Sequence, residues 1–83
     1  MAEQTASITP DLVIDTSGSY CPVPIIETAK ALKTMQPGRI VLVIATDPGV
    51  DPDMRAWCKA TKNDLLDLTR RGDVWRCLVR KRG

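Results

Sequence analysis

The run Ile40-Val41-Leu42-Val43-Ile44-Ala45 constrains the fold more than any other stretch of the chain. It is apolar at every position rather than at every second one. A half-exposed strand would alternate. Continuous β-branched and aliphatic residues indicate a central strand. Pro37-Gly38 stands before this run and Asp47-Pro48-Gly49 after it, and both are turn signals. A length of 83 residues leaves room for one small domain around that strand.

The neighbouring segments supply its partners. Leu12-Val13-Ile14 reads as a first strand, and Asp15 to Tyr20 as a turn-rich loop. Two prolines in Cys21-Pro22-Val23-Pro24 cannot lie inside a helix, but the first turn accepts them. Ile25, Ile26, Ala29 and Leu32 then repeat at helical spacing, so a helix is expected from about 22 to 34. Asp51 and Pro52 suit the N-cap and first turn of a second helix, with Met54, Trp57, Cys58 and Thr61 as its apolar stripe. Asn63 is expected to close it in a left-handed conformation. Leu65 to Thr69 reads as a third strand and Arg71-Gly72-Asp73 as a turn. Val74 to Arg80 reads as a fourth strand, with Trp75, Cys77 and Val79 on one face.

The order βαβαββ implies a parallel pair joined by a right-handed crossover and a closing antiparallel hairpin. The expected class is α+β: a two-layer sandwich with two helices on one face of a mixed four-stranded sheet. Residues 1–10 read as a flexible tail and 11–83 as the domain.

Composition excludes several functions. Hydrophobic residues make up 43% of the chain, too many for a disordered one. No apolar run approaches the roughly 18 residues of a membrane span, so no membrane role is expected. The net charge of +2 argues against stable nucleic-acid binding. There is no His, which removes every mechanism built on a His base or ligand. Cys21, Cys58 and Cys77 are odd in number and form no CxxC pair, so a reducing cytoplasm with free thiols is the simpler setting. Their separations of 37 and 19 residues match no zinc motif. No metal and no cofactor are expected.

Cys21 is the one cysteine in a setting that suggests reactivity. It stands between a polar loop and a helix N-terminus, where unpaired amides and the helix dipole lower a thiol pKa. Pro22 and Pro24 would hold the backbone so that the sulfur projects, although each also withholds an N–H. The plain alternative is a small loop residue ahead of a proline-started helix. Cys58 and Cys77 fall on apolar stripes and read as core, with Cys58 a resolving thiol only if it lies near Cys21. Trp57 and Trp75 read as core anchors. Arg76 and Arg80 point away from the helices and read as a solvated sheet face; docking of an acidic partner or an RNA backbone is the functional alternative. Asp47, Asp51 and Asp53 are crowded, but turn and cap chemistry accounts for them.

Asp15, Gly18, the Cys21-Pro22-Val23-Pro24 box entering a helix, and Pro37-Gly38 before an apolar strand together resemble the TusA/SirA-like sulfur-carrier family. Asp47-Pro48, Trp57 and Leu65-Leu66 continue the resemblance, which spans about residues 11–81. It implies the same βαβαββ fold. It also implies that Cys21 carries sulfane sulfur as a persulfide, with Pro22 and Pro24 as its rigid frame. The implied donor is a cysteine desulfurase or rhodanese-like protein, and the implied acceptor a DsrE-like protein. The pathways served by such carriers include sulfur oxidation, tRNA thiolation and cofactor sulfur supply. A cytoplasmic monomer acting as a sulfurtransferase through its persulfide would suit such a relay. Lys62-Asn63-Asp64 departs from the Gly-His that many members carry there. A thiol–disulfide module or a regulatory interaction domain is the alternative.

Overall fold

The structure, a computed structural model, describes residues 8–83. The expected tail therefore lies outside the described residues except for 8–10. The elements run β1 (Leu12–Asp15), α1 (Val23–Lys33), β2 (Ile40–Ala45), α2 (Val50–Thr61), β3 (Asp64–Arg71) and β4 (Val74–Arg80). They form one four-stranded sheet in the order β1-β2-β4-β3. β1 and β2 are parallel, and the other two pairings are antiparallel. The mixed two-layer α+β architecture expected from the element order is the one observed.

The core follows from strand alternation. Val41 pairs with Val79, Val43 with Cys77 and Ala45 with Trp75 across β2 and β4. All six are buried. They form a floor against which α1 brings Leu32, and α2 brings Val50, Met54 and Cys58. Both helices therefore cover one face of the sheet, and the strand with the continuous apolar run lies in the interior of the sheet. Leu42 and Leu78 point the other way yet are only 7% and 8% exposed. Ile8 and Pro10 lie over that face beside them. This explains why β2 is apolar throughout.

Four local expectations are corrected. Asp51 is not the N-cap of α2. Gly49 takes that place, and Val50 is already helical and wholly buried. The chain turns helical earlier because the Val50 N–H donates to the Asp47 carbonyl and the Asp51 N–H to the Pro48 carbonyl. Asp51 instead pairs with Arg55 one turn on. The left-handed residue closing α2 is Lys62, with φ 67, not Asn63. Asn63 spends its side chain on other bonds, donating to the Thr61 hydroxyl and accepting from the Arg82 N–H. Trp57 is half-buried against the core rather than a central anchor, whereas Trp75 is 7% exposed. β3 also runs longer than expected, because its ladder with β4 continues from Asp64 to Arg71. Gly72-Asp73 closes that hairpin, with φ +61 at Gly72 supplying the turn's left-handed residue.

Candidate functional site

Because β1 and β2 are parallel, the loops leaving their C-terminal ends emerge at the same edge of the sheet. The first loop carries Cys21 and the second carries Asp47. A row of bonds fastens one to the other. The Thr16 N–H and hydroxyl both donate to the Ile44 carbonyl, at 2.8 and 2.7 Å. The Gly18 N–H donates to the Thr46 hydroxyl at 2.8 Å. The Cys21 N–H donates to one Asp47 carboxylate oxygen at 2.7 Å, and the Gly49 N–H to the other at 3.0 Å. Those two bonds hold the Asp47 carboxyl below its ordinary pKa.

Cys21 is half-buried and packs against the edge of the core. Pro22 is exposed and serves as the N-cap of α1, while Pro24 is fully buried beneath it. The buried Thr28 hydroxyl donates to the Pro24 carbonyl at 2.7 Å, which ties the first turn down. On either side of Cys21 in the chain, apolar residues are exposed: Tyr20 is 79% exposed, Val23 38% and Ile26 46%. A cleft of about 200 Å³ beside it is lined by Gly18, Ser19, Tyr20, Thr46, Asp47 and Pro48. The sulfur approaches Gly49 so closely that a Cβ there would stand 3.2 Å from Sγ.

The electrostatics reverse the expectation of an acidic thiol. Cys21 is pushed up from 9.0 to about 11, first by burial, then by a hydrogen bond to Asp53 and by the charges of Asp47 and Asp53. The helix mouth fails to compensate because its amides are already used. Val23 N–H donates to the Tyr20 carbonyl, and Ile25 and Ile26 N–H both donate to the Pro22 carbonyl. Pro22 and Pro24 have none to offer. Asp53, in the first turn of α2, thus faces a protonated thiol.

Cys58 and Cys77 are buried at 4% and 0% exposure, and all three cysteines are free. Burial pushes Cys58 up to about 11 and Cys77 up to about 12. Both are core residues, as their stripes suggest. Among the described residues no cluster of His, Cys, Asp or Glu could hold a metal ion. Sequence reasoning missed Asp47, Asp53 and Gly49 as parts of the sulfur's surroundings. One signal was available: a βαβ unit places the two C-terminal loops of its parallel strands side by side.

Comparison with known proteins points the same way as the box at Cys21. The family model described as "Sulfurtransferase TusA" matches residues 12–81. The chain belongs to the TusA family. The sulfur carrier protein TusA of Allochromatium vinosum is 39% identical over 71 residues, covering 86% of this chain and 93% of that one. YrkI of Bacillus subtilis, named as a candidate sulfur carrier, is 41% identical over 71 residues, covering 86% and 95%. A SirA-like protein from Desulfitobacterium hafniense shares the fold, with a TM-score of 0.74 over 87% of this chain and 99% of that one, at 19% identity. TusA membership supports a sulfur-carrier role. Among the described residues no helix is long and apolar enough to cross a membrane.

Proposed function

We propose that this TusA-family chain carries sulfane sulfur as a persulfide on Cys21, between a donor protein and an acceptor cysteine. The observation that carries the reading is the contrast among the thiols. Cys58 and Cys77 are buried, while Cys21 is only partly buried, in a loop whose neighbours Tyr20 and Val23 are exposed. Pro22 and Pro24 frame it.

In loading, the Cys21 sulfur attacks the outer sulfur of a donor persulfide. A new S–S bond forms on Cys21 as the donor's S–S bond breaks. The thiol proton leaves Cys21 and ends on the departing donor sulfur, so a persulfide anion and a thiol are converted into a thiol and a persulfide anion. No net oxidant or proton is needed. In delivery, an acceptor thiolate attacks the outer sulfur and Cys21 leaves. A cysteine desulfurase or rhodanese-like donor and a DsrE-like acceptor are the partners that the family resemblance implies. The free thiols suit a reducing cytosol.

The disulfide-module reading has less support, because both candidate partners of Cys21 are core residues. Intact-mass spectrometry after incubation with a persulfidated donor tests the proposal. The wild-type chain should gain the mass of one sulfur atom, and Cys21→Ser should gain none. A sulfur adduct retained by Cys21→Ser would remove Cys21 from the reaction.

A further inference from the structure

The sheet face opposite the helices has an apolar floor and basic walls. Leu42 from β2 and Leu78 from β4 form the floor, and both are less than one-tenth exposed. With Arg71 and Arg76 on the wall, and Ile8 and Pro10 along one side, they line a cavity of about 470 Å³ that Arg70 also borders. We propose that this groove docks an acidic, extended segment of a partner protein, on a surface separate from Cys21.

Arg71 and Arg76 share with Arg82 the lack of an ion pair among the described residues. Arg39, Arg55 and Arg80 are each engaged by a carboxylate, from Asp11, Asp51 and Asp64 respectively. Arg70 donates to the Gly72 carbonyl and stacks 5.2 Å over the Trp75 ring. Among the described residues Arg71 and Arg76 have no ion pair, and both are exposed. In the ladder Arg71 faces Val74 and Arg76 faces Thr69, so the two residues are diagonal neighbours on one face. Strand geometry sets such diagonal neighbours about 7–8 Å apart. Alternate residues of an extended peptide repeat at about 6.6 Å. Two carboxylates on alternate positions of one strand-like segment therefore match two arginines at this spacing. Each pair can be bidentate.

Among the described residues the one acid of the lining narrows the occupant further. Asp67, opposite Leu78 in the ladder, repels a third carboxylate and so favours one register. An RNA strand fits less well. Sites for single strands stack bases on aromatic rings, and none of the groove's lining residues is aromatic. Trp75 is turned into the core. Cys21 packs on the helix side of the sheet, so a segment held in the groove leaves the sulfur uncovered.

The test uses a fluorescein-labelled peptide of alternating glutamate and leucine, a matched peptide of alternating lysine and leucine, and labelled oligouridylate. Binding to the full chain is read by fluorescence anisotropy at low salt, and the contact surface by two-dimensional NMR. The glutamate peptide should bind tightest and move the amide signals of Thr69, Arg71, Arg76 and Leu78. Arg71→Glu/Arg76→Glu should weaken it by about tenfold or more, the order expected when charge-assisted hydrogen bonds are lost. Arg71→Gln/Arg76→Gln, which adds no repulsion, should weaken it in the same direction. Its folding, checked by thermal melting, keeps the test open should the charge reversal unfold the sheet. Equal binding of both peptides, signals that move elsewhere, or tighter binding of oligouridylate would overturn the proposal. Persulfide loading of Cys21 is measured separately and does not bear on this outcome.

Discussion

Two carboxylates and no spare backbone donor surround the Cys21 thiol, and this sets its chemistry. Partial burial penalises the thiolate most, and the nearby carboxylates add to it, so the proton is held to about 11. A donor that docks and brings its own positive charge would release it; an unaccompanied small electrophile meets a thiol. Asp53→Asn removes one charge and should lower the Cys21 pKa. Each unit of pKa is tenfold in thiolate below the midpoint, so alkylation by iodoacetamide at about pH 8 should speed up by roughly threefold or more. The wild-type rate should still be climbing as pH passes 9. Asp51→Asn is the control: Asp51 lies in the same first turn but is bonded to Arg55. Peptide mapping assigns the modified sulfur. Superimposable wild-type and Asp53→Asn profiles would contradict this account of the thiol. The pairing of Cys21 with Asp47 and Asp53 was not legible in the chain, because composition and periodicity report local structure. The Cys21–Asp47 bond joins residues 26 apart. Cys21 itself was legible, because the two prolines mark a helix start and leave one cysteine outside it.

Helices and strands were legible where a period ran long enough. Leu32 on α1, and Met54 and Cys58 on α2, face the core as their spacing predicts. The ends were harder, because they depend on single hydrogen bonds. At the C-terminus of α2 two residues compete for the left-handed position. Asn63 tolerates that conformation better in general, but its side chain is committed to Thr61 and Arg82. Lys62 adopts it instead, with φ 67, and is exposed. A lysine Cβ is strained there, while glycine is not. Lys62→Gly should therefore stabilise the chain by about 0.5–1 kcal/mol, after glycine's extra backbone entropy is subtracted from the relief. For a domain of this size that is a rise in Tm of roughly 2–8 °C. Differential scanning calorimetry reads it. An unchanged or lower Tm would mean that the Lys62 side chain makes a contribution its exposure does not suggest.

On the scale of the whole molecule the three sulfurs divide by burial. Cys58 and Cys77 share the helix-side core with Val41, Val43, Met54 and Val79, and Cys21 sits at its edge. This division links the fold to pH. Burial raises Cys58 to about 11 and Cys77 to about 12, from 9.0 for an ordinary thiol. The folded chain therefore keeps protons that the unfolded chain gives up as pH rises above 9. The sign follows from linkage: a raised folded pKa contributes stability that is full below the unfolded value and is lost on the way up to the folded one. Each buried thiol changes the unfolding free energy by at most about 1.4 kcal/mol per pH unit within that window. Small domains have only about 0.05–0.15 kcal/mol per residue in hand, so two such slopes are large. Urea midpoints should be insensitive to these thiols between about pH 6 and 8 and should fall steeply between about 9 and 11. The comparison that isolates the sulfurs is with Cys58→Ala/Cys77→Ala. That variant should be less stable at neutral pH, since it leaves space in a packed core. Its alkaline slope should nevertheless be shallower than that of the wild type. Parallel slopes would mean that the buried thiols stay as acidic as free ones, which their burial beneath both helices does not allow.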